Sequence, residues 1–249
     1  MQIKTSGIII KRMNFGEADR ILTVLTHDHG KVKAIARGSR KILAKLGGSL
    51  EPFCLVDFIF HEGKSFYVVT SAVVINHFEK IHTDIDKIAK AFYIGELLDK
   101  SLEDHQNHPE VYELFKKYLE NLEGADDPIL IPVFSAKILE SLGFKPEVFE
   151  CLHCRQKLSL AQNFWDDIEG GVICQSCHDK FGHGRKIEND LIKILRLIFS
   201  PTFAVGSKIN ISEKYKNQTA EILENYVEVI LERELKSKKF LDQISSSSK

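Results

Sequence analysis

The sequence predicts an α+β protein. A small closed β-barrel comes first, an α-helical domain follows, and a four-cysteine module is inserted among the helices. Three observations predict this. Roughly the first 80 residues are short β-branched and aromatic runs punctuated by Gly and Asp. From about residue 85 the apolar residues recur at helical spacing. Four of the five cysteines stand in two C-x-x-C pairs.

The strands come in order. Ile3-Lys4-Thr5 runs through Gly7 into IIIKRMNF. RILTVLT (20–26) and KVKAIAR (31–37) follow, separated by HDHG. PFCLVDFIF (52–60) leads through a turn at HEGK (61–64) into SFYVVTSAVVI (65–75). About five strands in 80 residues, without an obvious helix until about residue 85, suit a small closed barrel, and the five-stranded OB-fold is the natural candidate.

The helical stripes begin with Ile85, Ile88, Phe92 and Leu98. Val111, Leu114, Phe115, Tyr118, Leu119 and Leu122 form a second. Val133, Phe134, Ile138 and Leu142 form a third, with Pro132 in its first turn and Gly143 at its end. DLIKILRLIF (190–199) and residues 218–235 supply two more. These apolar faces need one another, so a helical bundle is expected. The domain division is therefore 1–80 for the OB-fold and 81–240 for the helical domain, with the cysteine insertion at about 148–182. The serine-rich residues 241–249 are expected to be a disordered tail.

Composition is that of an ordinary globular chain, 43% hydrophobic and 28% charged. No apolar run approaches the roughly 18 residues that span a bilayer, and Ile8–Ile10 is too short for a signal peptide core. A cytoplasmic protein with reduced thiols and no membrane partner is expected. The net charge of −1 hides an asymmetry: residues 1–80 carry twelve Lys and Arg against seven Asp and Glu, and the remainder is acidic. Two units with different partners follow from that split.

Cys151-x2-Cys154-x19-Cys174-x2-Cys177 has the spacing of a zinc ribbon or knuckle. Two residues between thiols let one tight turn present both sulfurs to one ion, and a second such turn completes a tetrahedron. The intervening residues resemble a hairpin bent at Gly170-Gly171. One structural Zn2+ is the leading reading, with a redox disulfide pair and an iron–sulfur cluster as alternatives. Four thiolates would fill the tetrahedron, whereas catalytic zinc keeps a position open for water. His153 and His178 lie beside the ligands and could substitute only if a cysteine were displaced. Cys54, alone on an apolar strand, reads as a small buried hydrophobe.

Residues 31–50 contain Lys31, Lys33, Arg37, Arg40, Lys41 and Lys45 and no acid. On a strand, residues 31, 33, 35 and 37 share one face. A charge run of this kind is ordinarily a solvated face. On a barrel of the OB type it is also the electrostatic track for a nucleic-acid backbone. Phe15, Phe53, Phe66 and Tyr67 are candidate stacking surfaces, though strand aromatics are mostly core.

Three further patterns carry less. His77-Phe78-Glu79 matches half of a zinc deaminase signature, but no Pro precedes either C-x-x-C, so both polar residues read as surface positions at a strand end. Gly63-Lys64-Ser65 lacks the earlier glycine of a phosphate loop, since Phe58 stands there. Glu17, Asp19 and Arg20 read as a turn salt bridge. No catalytic residue is assigned, so the chain does not read as an enzyme.

GIIIKRMNFGEADRILTVLTHDHGKVKAIARGSRK, LGGSLEPF and GKSFYVVTSA resemble the amino-terminal domain of the RecO family of bacterial DNA repair and recombination mediators. SAKILESLGFKPEVFECLHC and CQSC resemble the family's helical domain and its zinc-binding insertion. The resemblance covers residues 1–235. It implies an OB-fold followed by a helical domain with a zinc module. It also implies binding of single- and double-stranded DNA, annealing of complementary strands, and partnership with RecR and the single-strand binding protein SSB. Together these help load RecA onto covered single strands, in the cytoplasm at the nucleoid. By resemblance the DNA-contacting basic residues match Lys33, Arg37, Arg40 and Lys41. The alternative is a protein-interaction scaffold with only minor DNA contact, motivated by the acidic rear half.

Overall fold

The computed structural model describes residues 2–41, 50–124, 129–200, 203, 210–232 and 234–247. Its strands are β1 (Gln2–Phe15), β2 (Asp19–Thr26), β3 (Gly30–Ala36), β4 (Leu55–His61), β5 (Tyr67–Asn76), β6 (Asn163–Asp166), β7 (Gly171–Cys174) and β8 (Arg185–Ile187). Its helices are α1 (Glu79–Thr83), α2 (Ile85–Ser101), α3 (Pro109–Gly124), α4 (Leu130–Ser141), α5 (Gln175–Phe181), α6 (Asn189–Ile198), α7 (Glu213–Leu231) and α8 (Lys236–Ser247). No described helix is long and apolar enough to cross a membrane.

The first five strands close a barrel in the order β1-β2-β3-β5-β4, the Greek-key barrel expected of an OB-fold. β1 is long because it serves two neighbours. Gln2–Ile8 pair with β4, Gly7–Phe15 pair with β2, and the register shifts between Ile9 and Lys11. Such a bulge bends a strand round a barrel corner. Ile8, Ile9 and Ile10 are accordingly all buried, where strict alternation would expose one.

Alternate residues of three other strands point into the barrel. Leu22 and Val24, then Val32, Ala34 and Ala36, then Val56, Phe58 and Phe60 fill the barrel. Each large apolar side chain withdrawn from water there contributes about 1.5–3 kcal/mol. β4 begins at Leu55 rather than at Pro52, because Pro52 and Phe53 form a turn in which Phe53 adopts φ 68°. Proline has no N–H to give a central ladder.

By contact the chain divides into two compact units. Residues 1–126 and 235–249 form one, and residues 127–234 the other. The helices after residue 80 are thus shared between units rather than gathered in one bundle.

In the first unit, α2 starts at Asp84, whose side chain accepts from the backbone N–H of Asp86 and Lys87. Its buried face is Ala89, Ala91, Tyr93, Ile94, Gly95, Leu97 and Leu98. Ile85 and Phe92 of the expected stripe are 61% and 40% exposed. Tyr93, Ile94, Leu97 and Leu98 carry the buried face beside the small Ala89, Ala91 and Gly95, so of the expected stripe Leu98 is fully buried while Ile85 and Phe92 face outward. α8 packs on α2 and continues through Ser247, beyond the expected start of disorder at 241. Serine is only mildly unfavourable in a helix, and buried Leu235 and Leu241 anchor this one.

In the second unit, α4, α6 and α7 pack together. Between α4 and α6 the chain builds a three-stranded sheet ordered β7-β6-β8, followed along β7 by α5. The expected hairpin is β6–β7, with Trp165 opposite Val172 and Asp166 opposite Gly171.

Candidate nucleic-acid interface and metal centre

The two C-x-x-C pairs converge. Cys151 and Cys154 lie in a turn closed by Arg155 N–H donating to the Cys151 carbonyl at 3.0 Å, with Arg155 at φ 57°. Cys174 ends β7 and caps α5, which carries Cys177. The four sulfurs all lie within 4.8 Å of one another. A tetrahedral ion with metal–sulfur bonds of about 2.3 Å sets its sulfurs about 3.8 Å apart, and Cys154 Sγ and Cys174 Sγ stand 3.8 Å apart. All five cysteines are free, as that separation requires. The four thiols can therefore hold a metal ion.

The surroundings prepare them unequally. Burial opposes ionisation of Cys151. The backbone N–H groups of Cys174, Cys154 and His153 point at its sulfur, outweigh that burial and bring its pKa down to about 6. Burial raises Cys174, and burial together with the neighbouring thiols raises Cys177. One thiolate thus forms readily and discourages ionisation of the next. Cys151, Cys177, Phe164 and Ile173 form a small buried cluster under the site. Cys54 stands apart in the barrel core, fully buried, its pKa pushed up to about 11 chiefly by burial.

The basic segment is divided by its partners. β3 turns Val32, Ala34 and Ala36 inward and Lys31, Lys33 and Ile35 outward, as the alternation requires. Lys31 is nevertheless only 5% exposed. Its ammonium donates to the Asp99 carbonyl at 2.6 Å and lies 3.4 Å from carboxylate oxygens of both Asp99 and Asp104. Lys33 donates to Asp104 at 2.6 Å. Burial opposes the charge on Asp104, but the hydrogen bond from Lys33 and the charge of Lys31 hold its carboxyl below the usual range. Asp99 and Asp104 therefore offset much of the charge at this end of the strand.

The positive charge past the end of β3 has fewer partners. Arg37, Arg40 and Lys41 are exposed, and Arg37 and Lys41 form no ion pair with a described residue. Their turn is fastened to the β1–β2 connection. Gly38 N–H donates to Asp19 Oδ1 at 2.7 Å, Arg40 N–H to the Ala18 carbonyl at 3.0 Å, and the Arg40 guanidinium to the Gly16 carbonyl at 2.9 Å. Phe15, beside Gly16, is 49% exposed. Lys45 lies outside the described residues.

The β4–β5 connection lies beside Lys33, toward the start of β3. β3 and β5 pair in parallel only through Ala34–Tyr67 and Ile35–Val68. Lys33, Lys64, Phe66, Tyr67, Asp104 and His105 line a shallow cleft beside that seam. Gly63-Lys64-Ser65 is this hairpin connection, with no helix after it, so it is no phosphate loop.

The other flagged residues are accounted for by packing. Phe53 is fully buried and is no stacking surface. His77 and Glu79 are exposed at the end of β5, and the His77 ring lies 3.6 Å from Cys54 Sγ. Asp19 holds Gly38 rather than forming the expected turn salt bridge. Asp99 and Asp104 were missed, because they lie about seventy residues beyond the lysines they hold.

Comparison with known proteins agrees with this architecture. A family model described as Recombination protein O N terminal matches residues 1–78, and one described as Recombination protein O C terminal matches residues 82–239. Among similar curated proteins, the DNA repair protein RecO of Bacillus pumilus (strain SAFR-032) is 30% identical over 100% of this chain and 97% of its own length. That of Dehalococcoides mccartyi (strain CBDB1) is 31% identical over 97% of this chain and 95% of its own. That of Roseiflexus sp. (strain RS-1) is 30% identical over 97% and 85%.

Proposed function

Because the chain belongs to the RecO family of DNA repair proteins, we propose that it acts without turnover, binding single-stranded DNA across the loop end of its barrel. OB barrels take oligonucleotides over the β2–β3 face and the β1–β2 and β4–β5 loops. The observation that carries the proposal is the hydrogen bond from Arg40 to the Gly16 carbonyl. It sets a basic turn against the loop that displays Phe15. Arg37, Arg40 and Lys41 meet phosphates, Phe15 stacks a base, and Lys33 and Lys64 extend the track. Lys31, covered by Asp99 and Asp104 on the outer face, ties β3 to the end of α2 and the segment after it. Duplex DNA engages the same cations without stacking.

The wider role follows from the family: annealing of complementary strands, contact with RecR and SSB, and assistance in loading RecA. The four thiolates hold one structural Zn2+ that fixes the β6–β7 hairpin. The pairing of Lys31 and Lys33 with Asp99 and Asp104 favours the second reading, a protein-interaction scaffold whose DNA contact is minor.

The test is titration of a fluorescent single strand across a salt series. Reversing Arg37, Arg40 and Lys41 to Glu should weaken binding and flatten the slope of log K against log salt by about 0.7 per lost phosphate contact. Unchanged affinity and slope would favour the scaffold.

A further inference from the structure

A second cluster of metal-binding groups stands in the cysteine module, made of side chains that the thiolate site does not use. Ring nitrogens of His153 and His183 and a carboxylate oxygen of Glu169 all lie within 4.8 Å of one another. They come from three separate places: the first C-x-x-C turn, the β6–β7 connection and the segment between α5 and β8. The two imidazoles meet edge to face, with centroids 5.1 Å apart.

Two features suit these residues to a cation. The Nε2 of His153 is buried and has no hydrogen-bond partner. A ring nitrogen withdrawn from water is ordinarily satisfied by protein or solvent. The Nδ1 of His183 is held by Asp166 Oδ2 at 2.5 Å. A carboxylate on one imidazole nitrogen fixes the ring and leaves the lone pair on the other nitrogen free, the usual outer support of a metal-bound histidine. Asp166 is itself held in place, accepting from the backbone N–H of Ile168 and Glu169 at 2.8 Å each.

We propose that His153, His183 and Glu169 bind a second divalent transition-metal ion, distinct from the four-thiolate site. Two imidazoles and one carboxylate suit Zn2+ and its neighbours rather than Mg2+ or Ca2+. Metal–ligand bonds of about 2.1 Å place tetrahedral donors about 3.4 Å apart. The exposed Glu169 side chain swings inward to close the site. Three protein ligands leave one position for water or a phosphate oxygen. The ion is held less firmly than one enclosed by four thiolates. The inference does not depend on how the barrel binds DNA.

The experiment titrates the reduced, metal-free full-length chain with Co2+ and follows absorption and bound metal per chain. The wild type should take two equivalents. The first brings sulfur-to-cobalt charge-transfer absorption, and the second adds only the weaker ligand-field bands. Glu169→Gln and His183→Ala should each keep the first equivalent and lose the second. A mild chelator should remove the second ion before the first. A wild type that saturates at one equivalent overturns the proposal, as does a second equivalent that survives both substitutions. Loss of both ions together in Glu169→Gln also overturns it, since the residues would then form one centre.

Discussion

The Glu96 carboxylate, on α2, accepts both the backbone N–H and the hydroxyl of Ser237 at 2.7 Å, in the first turn of α8. A residue 141 positions away in sequence thus supplies the acceptor that a helix usually takes from its own N-cap. Burial opposes the charge on Glu96, yet the Ser237 hydroxyl, the N–H groups of Ser237 and Lys236, and the Lys100 ammonium hold its pKa below the usual range. A carboxyl depressed in the folded state stabilises above its unfolded pKa, about 4.3. That contribution fades as pH falls through the lower folded value. Glu96→Gln should loosen α8 by about 1 kcal/mol at neutral pH. Amide exchange of α8 at pH 7 and at about pH 4 checks this. Equal exchange in variant and wild type at neutral pH would refute it.

Gly30 and Gly16 form a matched pair for testing the barrel. Both have positive φ, 65° and 59°. A Cβ at Gly16 meets nothing within 4 Å, whereas at Gly30 it would stand 1.9 Å from the Gln106 carbonyl oxygen. Gly16→Ala should cost only the left-handed backbone penalty, about 1–2 kcal/mol. Gly30→Ala should cost clearly more, because residues 104–106 lie on the β3 edge and cannot withdraw. His105 N–H donates to the Lys31 carbonyl there at 2.9 Å. Urea denaturation of the two variants gives the comparison, and equal midpoints would contradict the close approach.

What the sequence reveals follows the range of the interactions. The inward set Val32, Ala34 and Ala36 was legible because strand alternation is local. The convergence of the four thiols was legible because each C-x-x-C pair spans one turn. The burial of Lys31 was not, since its partners Asp99 and Asp104 belong to a segment that reaches β3 only after folding. On α2 the apolar residues outnumber the positions of one face, and Ile85 and Phe92 compete with Tyr93, Ile94, Leu97 and Leu98, so the local pattern does not single out the buried side that Ala89, Ala91 and Gly95 complete. Likewise His153, Glu169 and His183 have no regular spacing to announce them.

Lys31 and Lys41 belong to one basic run but should fail in different ways. Lys31→Met removes a nearly buried ammonium from Asp99 and Asp104, leaving them only Lys11 and Lys33 as ion-pair partners among the described residues. The loss should be about 2 kcal/mol of stability, with single-strand affinity at low salt changed little while the chain stays folded. Lys41→Met should leave the melting curve within about 0.5 kcal/mol of wild type and weaken DNA binding several-fold. Thermal melts beside strand titrations separate the two. If Lys31→Met lost affinity at full stability, the division of the segment would be wrong.

Trp165, the chain's single tryptophan, reports on the thiolate site without labelling. It is fully buried on β6, donates its indole N–H to Asp167 at 2.8 Å, and stands edge-on to Tyr226. β7, its partner strand, ends at Cys174, one of the four converging thiols. Without a cation the four thiols lose the bonds that hold two turns together, and structural metal sites of this kind contribute directly to local folding. Chelation under reducing conditions, or Cys154→Ser, should therefore red-shift Trp165 emission and expose the β6–β7 hairpin to proteolysis. Cys54→Ser should leave bound metal unchanged, since that thiol lies in the barrel core. Single-strand affinity should largely survive metal removal, because Arg37, Arg40 and Lys41 are fastened to the β1–β2 loop by bonds within the barrel alone. Emission that stays blue while all metal is lost would show that packing alone holds the hairpin. Loss of DNA binding in step with the metal would tie the thiolate module to the interface.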